Sequence, residues 1–177
     1  MEEIGREKIY HGRAFDVYQV RLRMPDDDIK TYDLVQHNRA VVILPQDETG
    51  CLIFVKQYRV GAAGTLLELP AGVLEKDEEP ETCARREIRE ETGMAAKQWE
   101  KLGEMYIAPG YCTEYQYVYL ASNLQAAPLE ADSDEFIEIV RIPIVKVYEM
   151  VEAGRINDGK TLAALMLARK RLLESGE

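Results

Sequence analysis

The stretch that decides the fold is GVLEKDEEPETCARREIREETGM, residues 72–94. Its second part has the start and stop signals of a helix, because Pro80 suits a first helical position and Gly93 suits the residue just past a last turn. On such a helix Glu87, Glu90 and Glu91 stand at i, i+3 and i+4. This spacing predicts three carboxylates on one face within a single turn.

Like charges at this spacing repel one another, and a hard divalent cation such as Mg²⁺ or Mn²⁺ relieves the repulsion by binding carboxylate oxygens. The three glutamates by themselves favour another interpretation, a solvated helix face with ion pairs to the interleaved Arg85, Arg86 and Arg89. Gly72 and Glu78 precede the helix at a fixed spacing, and a glycine ends it. These additional positions favour the metal site.

The whole stretch resembles the signature box of the Nudix hydrolases. That box is a glycine, five residues, Glu, seven residues, Arg-Glu, an aliphatic residue, one residue, Glu-Glu, one residue, Gly and an apolar residue, and every specified position is matched. The resemblance implies an α+β fold, the Nudix α/β/α sandwich, over residues 39–177. It also implies hydrolysis of a nucleoside diphosphate linked to another group, with roughly two or three Mg²⁺ ions, or Mn²⁺, at each active site.

The resemblance also assigns roles to individual residues. The expected metal ligands are oxygen donors on the helix and just before the box: Glu87, Glu91, Glu90 and the main-chain carbonyl of Ala71. Gly72 would let the chain turn sharply and bring that carbonyl close. Arg86 and Glu78 are expected to pair across the loop and to orient the glutamates, and a purely structural role is the alternative for Glu78.

The segments that flank the box narrow the range of candidate substrates. FVKQYR at residues 54–59 and LELPAG at residues 67–72 are similar to the ADP-ribose pyrophosphatase branch of the family. That branch implies that Arg59 binds the diphosphate, since a guanidinium offers several fixed donors to phosphate oxygens. A surface ion pair is the alternative for Arg59. Glu68 could support the metal cluster or pair with a neighbouring basic residue, and the sequence favours neither possibility.

A further segment after the box, APGYCTE at residues 108–114, resembles the same branch. In that branch Glu114 would meet a ribose hydroxyl or a metal-bound water, and simple solvation of the loop is the alternative. Gly110 belongs to the same expected substrate-binding loop.

The proton acceptor is expected in the acidic segment ADSDEFIE, residues 131–138. Glu135 aligns best with the Glu-Phe-aliphatic-Glu run of similar enzymes and is the first candidate. Glu90 or Glu91 of the box, or direct activation of water by two metal ions, is the alternative. The implied reaction is in-line attack of water on a phosphorus atom of ADP-ribose, which gives AMP and ribose 5-phosphate.

Outside the box, the pattern predicts mostly antiparallel strands with separate helices. Residues 1–38 are expected to form a small antiparallel sheet, because Tyr18, Val20 and Leu22 alternate with polar residues and a turn and a second strand follow. Further strands are predicted at residues 40–44, 52–55, 103–107, 115–121 and 136–142, and helices at 145–153 and 161–174. In the last helix, the residues that fall at the spacing of an apolar face are Leu162, Leu165, Met166 and Leu173.

The N-terminal sheet is too small to be stable alone, because two or three strands with one apolar face bury little surface. It is expected to dock on the rest of the chain or on a second copy. In similar pyrophosphatases this sheet exchanges with the partner and helps to build its substrate pocket, so the resemblance implies a homodimer.

Composition excludes several other classes of protein. The chain has 177 residues, with 22 Lys and Arg against 32 Asp and Glu, and a net charge of −10 opposes binding to nucleic acid or to an anionic membrane. No apolar run reaches the ~18 residues that a transmembrane helix needs. Three widely spaced cysteines and an acidic N-terminus without a signal-peptide pattern predict a cytoplasmic protein with free thiols.

Two alternatives to ADP-ribose hydrolysis stay open. The substrate could be another nucleotide sugar, such as ADP-glucose or GDP-mannose, because base and sugar recognition is not readable from these residues. The chain could instead be a Nudix-fold module that binds ADP-ribose without cleaving it. Such a module is expected to have lost carboxylates of the box, and here none is missing.

Overall fold

The computed structural model describes residues 1–130 and 136–174, and these residues form two units. Unit 1 combines Met1–Arg39 with Met105–Gln116. Unit 2 combines the described residues of Ala40–Glu104 and Tyr117–Glu177, and it contains the whole 72–94 stretch. Glu135, the expected proton acceptor, lies outside the described residues.

Unit 1 is built on a three-stranded antiparallel sheet in the order β1-β2-β3. Its strands are β1 (Glu2–His11), β2 (Asp16–Arg23) and β3 (Ile29–Gln36). The register places Tyr18 opposite Leu34 and Val20 opposite Tyr32, so the apolar alternation of β2 continues on β3. The small N-terminal antiparallel sheet predicted from the sequence is confirmed.

Unit 2 contains two further sheets and three helices. The strands are β4 (Ala40–Pro45), β5 (Cys51–Arg59), β6 (Gly64–Glu68), β7 (Ala71–Val73), β8 (Met94–Tyr106), β9 (Tyr115–Ala126) and β10 (Glu138–Pro143), and the helices are α1 (Pro80–Thr92), α2 (Ile144–Glu152) and α3 (Gly159–Glu174). One sheet has the order β7-β4-β9-β8 and the other the order β10-β5-β6. The strands β8 and β9 also supply residues to unit 1.

The core of unit 2 lies between its sheets and helices. The side chains from Val41 to Leu44 and from Leu52 to Phe54 are fully buried, as expected for continuous apolar runs that are covered on both faces. Helix α1 packs on β4 and β7, α3 packs on β4, and α2 packs on β5 and β10. This arrangement is the α+β class that the sequence predicts.

Helix α1 begins and ends where the sequence predicts. Pro80 is its first residue, and Gly93 follows its last with φ +70°. A glycine suits this left-handed conformation because it has no Cβ to clash, and its N–H donates to Arg89 O at 3.0 Å. Both ends of the helix that carries the glutamates are therefore fixed by local chemistry.

Contacts on the other sides of α1 fix its orientation. Ile88 and Ala84 are fully buried, as expected for the side that faces the core. The Arg85 guanidinium lies 5.0 Å from the centre of the Trp99 ring on β8. These contacts leave the glutamate side of the helix directed toward β7, which α1 also contacts.

Strand β8 begins well before the position that the sequence predicts. The sequence predicts a strand at residues 103–107, whereas β8 already begins at Met94, immediately after the glycine that ends α1. Residues 94–98, MAAKQ, show no clear apolar alternation and contain poor strand formers. Hydrogen bonding to the neighbouring strand β9 supplies the strand conformation there, and local preference does not encode that contact.

The buried side of α3 also differs from the prediction. Leu165 is buried, but Met166 is 69% exposed and Leu173 is 44% exposed, so the predicted apolar face is wrong at these two positions. The buried residues of α3 are Thr161, Ala164, Leu165, Ala168 and Leu172. Small side chains let the helix backbone approach β4 closely, and a pattern based on large apolar residues does not reveal such a face.

The sequence also predicts that the chain has no membrane-spanning helix and that its cysteines are free thiols. None of the helices in residues 1–130 and 136–174 has the length and apolar character to cross a bilayer. Cys51, Cys83 and Cys112 are all free thiols, as predicted.

We expect Ile88→Ala to lower the free energy of unfolding by about 2–5 kcal/mol, because Ile88 is fully buried and the truncation leaves a cavity. Urea unfolding followed by circular dichroism measures the change. Met166→Ala is the control, and its exposed side chain predicts a change below about 0.5 kcal/mol. Equal effects of the two substitutions would contradict the placement of Ile88 in the core.

Candidate active site

Strand β7 meets α1 at the glutamate side of the helix. Ala71 N donates to Glu91 Oε2 at 3.0 Å. Ala71 pairs with Val42 at a non-hydrogen-bonded position of the β4–β7 ladder, because the adjacent Ile43 N donates to Pro70 O at 2.9 Å. The N–H and C=O groups of Ala71 therefore point away from β4, so its carbonyl lies at the edge of the sheet.

Gly72 is the position where β7 and α1 come closest. A Cβ added to Gly72 would lie 1.8 Å from Glu87 Cδ and 1.9 Å from Glu87 Oε1. A carboxylate of α1 thus occupies the space that any other residue's side chain would fill. The sharp turn expected at Gly72 is not found, because Gly72 lies within β7. A larger residue here would have to displace the Glu87 carboxylate.

Arg86 holds the carboxylates of this region together. Its Nη1 donates to Glu87 Oε1 at 2.7 Å and to Glu90 Oε2 at 2.8 Å. Its Nε and Nη2 donate to Glu78 at 3.1 and 3.0 Å. The ion pair of Arg86 with Glu78 that the sequence predicts is therefore present, and the same guanidinium also contacts two glutamates of the box.

These contacts shift the pKa values of Arg86 and Glu78. The hydrogen bond with Glu78 is the main cause that raises the pKa of Arg86, and Glu87 and Glu90 add to it. The hydrogen bond from Arg86 lowers the pKa of the Glu78 carboxyl. Glu78 is therefore held ionised beside Arg86, and the same permanent cation also contacts Glu87 and Glu90.

The donor set of this cluster suits a hard divalent cation. Glu87 and Glu90 converge on a single cationic nitrogen of Arg86, so their oxygens already share one positive charge. Glu91 is 5% exposed and lies beside the Ala71 backbone. Among residues 1–130 and 136–174, no three acidic, His or Cys side chains form a ready-made metal cage. The oxygen donors fit Mg²⁺ or Mn²⁺ in kind, while their side chains are engaged with Arg86 and Ala71.

A second charged cluster surrounds Glu68 at the end of β6. Arg59 donates to it through Nε at 2.8 Å and through Nη2 at 2.7 Å. The Glu68 side chain is 1% exposed, and the Arg59 side chain is 40% exposed. Of the two alternatives left open for Glu68, the structure shows pairing with a neighbouring basic residue.

The two clusters interact electrostatically. The hydrogen bond with Glu68 raises the pKa of Arg59, and the charges of Glu91 and Asp158 raise it further. Burial alone would raise the pKa of Glu68, but the hydrogen bonds from Arg59 and Lys160 lower it. Glu68 is therefore an ionised buried carboxylate, and its ionisation depends on both cations.

The sequence interpretation missed the residues that join Glu68 to α3. Asp158 precedes the helix and caps it, because its Oδ2 accepts from Thr161 N at 3.0 Å and from Thr161 Oγ1 at 2.6 Å. Thr161 Oγ1 in turn accepts from Leu69 N at 2.9 Å. Lys160 donates to Glu68 and Asp158. The capping aspartate was readable from the sequence, but the contact of Lys160 with Glu68 was not, because the two residues are 92 positions apart.

Gly110 and Glu114 belong to unit 1. Val35 N at the end of β3 donates to Tyr111 O at 2.7 Å, which ties the 108–114 loop to the N-terminal sheet. Glu114 Oε1 accepts from Gln116 Nε2 at 2.7 Å. Gly110 is exposed, and an added Cβ would meet nothing within 4 Å. The remaining predicted residues, Ala71, Gly72, Glu78, Arg86, Glu87, Glu90, Glu91, Arg59 and Glu68, belong to unit 2.

The chain is similar to known proteins along most of its length. A family profile described as NUDIX domain matches residues 36–165. An ADP-ribose pyrophosphatase of Bacillus subtilis (strain 168) is 37% identical over 92% of this chain and 89% of its own length. A GDP-mannose pyrophosphatase of Enterobacter sp. (strain 638) is 36% identical over 92% of each chain. The crystal structure of an ADP compounds hydrolase superposes with a TM-score of 0.89 at 27% identity, covering 99% of this chain and 95% of the other.

We expect Thr161→Val to lower the free energy of unfolding by about 1–3 kcal/mol, because it leaves the Leu69 N–H buried without its acceptor. Thermal and urea unfolding measure the change. Thr49→Val is the matched control, since it removes an exposed hydroxyl that donates to Asp47. A loss for Thr161→Val no larger than for Thr49→Val would show that the tie between Leu69 and α3 contributes little.

Proposed function

Because this chain belongs to the Nudix domain family, we propose that it hydrolyses the diphosphate bond of a nucleoside diphosphate sugar. The preferred substrate is ADP-ribose, and the products are AMP and ribose 5-phosphate. The observation that carries the proposal is the cluster at β7 and α1, in which Glu87, Glu90 and Glu91 lie with the edge carbonyl of Ala71. The B. subtilis relative is named an ADP-ribose pyrophosphatase, which supports ADP-ribose as the substrate.

The proposed metal ligands are Glu87, Glu90, Glu91 and the main-chain carbonyl of Ala71. The cation is Mg²⁺, with Mn²⁺ as a substitute, and roughly two or three ions occupy each site. When bound, such ions neutralise the diphosphate and make a coordinated water more acidic. The contacts of Arg86 with Glu78, Glu87 and Glu90 support a role in holding the carboxylates ionised and oriented before the ligand arrives.

Substrate binding is assigned to Arg59 and Glu68 of the second cluster and, from the sequence resemblance, to Glu114 and Gly110. Arg59 binds the diphosphate, because its guanidinium is half-exposed on a chain whose net charge is −10. Glu68 holds that guanidinium from behind through two hydrogen bonds. Glu114 binds a ribose hydroxyl, and the open space at Gly110 lets a ligand approach the backbone.

The proton of the attacking water goes to a carboxylate. Glu135 is the proposed acceptor on the strength of the sequence alone, and Glu90 or Glu91 is the alternative. The water attacks phosphorus in line with the leaving phosphate oxygen, and the bond between that phosphorus and the bridging oxygen breaks.

GDP-mannose is the second candidate substrate. The observation that favours it is the Enterobacter relative, named a GDP-mannose pyrophosphatase, at 36% identity. The bond cleaved is again a diphosphate, so both candidates use the same carboxylates and differ only in the groups that bind base and sugar.

We expect Mg²⁺-dependent release of AMP and ribose 5-phosphate from ADP-ribose, resolved by chromatography in a panel with ADP-glucose, GDP-mannose, diadenosine polyphosphates and NADH. Glu91→Gln should reduce kcat by at least about 100-fold, because it neutralises a buried carboxylate of the cluster. Removal of the metal with EDTA should abolish turnover of the unmodified chain.

Glu81→Gln is the matched control. Glu81 is on the same helix but pairs with Arg85 at an exposed site, so activity should stay within about twofold of the unmodified chain. Turnover of GDP-mannose in preference to ADP-ribose would change the assigned substrate and leave the assigned reaction, hydrolysis of a diphosphate bond, unchanged. Binding of ADP-ribose without any turnover would contradict the proposal and identify a non-catalytic module.

The chain is proposed to act as a homodimer through its N-terminal sheet. Ile9, Tyr10, Ile29 and Tyr32 of this sheet are between 43% and 58% exposed, which is costly for large apolar side chains in water. A cytoplasmic location is also proposed, supported by the three free cysteines.

We expect light scattering at micromolar concentration to give a mass of about 40 kDa, twice the 20.2 kDa of one chain. The exposed apolar residues of the N-terminal sheet are the physical reason. A mass near 20.2 kDa that does not change with concentration would contradict the dimer.

A further inference from the structure

Lys160 is a charged residue at a position where helix preferences and burial both disfavour a cation. It is the second residue of α3, where the positive end of the helix dipole disfavours a cation. Its side chain is only 13% exposed, so its ammonium group has lost most of its water. A lysine in this position requires specific partners that offset both effects.

The partners of Lys160 are two carboxylates. Its Nζ donates to Glu68 Oε2 and, at 2.9 Å, to Asp158 Oδ2. Glu68 is almost fully buried and also accepts two hydrogen bonds from Arg59. One buried carboxylate therefore serves two cations, and the four charged groups sum to zero.

Because Lys160 also pairs with Glu68, Arg59 is not the sole counter-ion of this carboxylate. A guanidinium carries five N–H groups, and the Nε and Nη2 groups that face Glu68 leave three of them outside the pair. If Arg59 were the sole counter-ion of Glu68, any movement of its charge toward a ligand would leave a buried carboxylate unpaired, which is strongly unfavourable. Lys160 keeps Glu68 paired when the charge of Arg59 is shared with an anion.

We propose that Lys160 is a positioning residue that acts through Arg59. Lys160 shares Glu68 with Arg59. The buried carboxylate therefore holds the guanidinium in place, and the guanidinium stays available to bind a diphosphate. The inference rests on the proposed function for the identity of that ligand. It assigns Lys160 no contact with the substrate.

The test is a double-mutant cycle on ligand affinity, with Lys160→Met, Arg59→Met and the double variant. The dissociation constant for ADP-ribose is measured by calorimetry in EDTA, where no hydrolysis occurs. Lys160→Met should weaken binding about tenfold in the natural background and less than about twofold in the Arg59→Met background, because both substitutions remove the same interaction. With Mg²⁺, the same substitution should raise KM about tenfold and change kcat by less than about threefold.

Two further variants separate positioning from folding. Lys160→Arg keeps the charge and should bind within about threefold of the unmodified chain. Asp158→Asn keeps a capping side chain but removes the carboxylate that competes with Glu68 for Lys160, so it should bind ADP-ribose about twofold more tightly or better. A gain in affinity cannot result from an unfolded protein, and melting temperatures monitor all variants.

The outcomes are distinct. Equal effects of Lys160→Met on binding in both backgrounds, or weaker binding by Asp158→Asn, overturn this inference. Turnover by the unmodified chain upholds the proposed function independently of these results. If the unmodified chain binds ADP-ribose but turns over no nucleotide sugar with Mg²⁺, the proposed function fails and the binding cycle still decides the role of Lys160. Absence of ADP-ribose binding in EDTA together with absence of turnover of any nucleotide sugar with Mg²⁺ overturns both.

Discussion

The site depends above all on the close approach of strand β7 to helix α1. At Gly72 the two elements are so near that a single added carbon would overlap the carboxylate of Glu87. One residue earlier, the Ala71 N–H reaches Glu91. A main-chain edge and a row of glutamates thereby meet without intervening side chains. The contacts of α1 with Trp99 and the burial of Ile88 maintain this approach, because they fix the rotation of the helix.

Close approach concentrates negative charge, and the chain offsets it with cations of its own. Arg86 lies among Glu78, Glu87 and Glu90, while Arg59 and Lys160 share Glu68. Each buried carboxylate would be very unfavourable if its partner were absent. On a chain with a net charge of −10, these internal cations lower the pKa values of Glu68 and Glu78 and hold Glu87 and Glu90 in place through hydrogen bonds. The same arrangement makes α3 part of the site, since Lys160 and Thr161 tie its first turn to Glu68 and Leu69.

Local chemistry accounts for the parts of the fold that were predicted correctly. Pro80 and Gly93 set the ends of α1, and alternation of apolar residues set the strand β2 and its partner β3. The errors arose where a neighbour decides the conformation. Residues 94–98 become a strand because β9 lies beside them, and α3 buries Ala164 and Ala168 because small residues let it approach β4. Neither effect leaves a strong signal in a single sequence.

By itself, the sequence determined the helix, the single face that carries Glu87, Glu90 and Glu91, and the need for glycine before it. Helix geometry fixes such spacings within one or two turns, so they can be read without a structure. The tertiary structure alone decided which cations the carboxylates meet. Glu68 was equally compatible with a metal cluster or a basic partner until β6 and the start of α3 were brought together, 92 residues apart. Contacts of that range depend on how whole elements pack, and no local pattern encodes them.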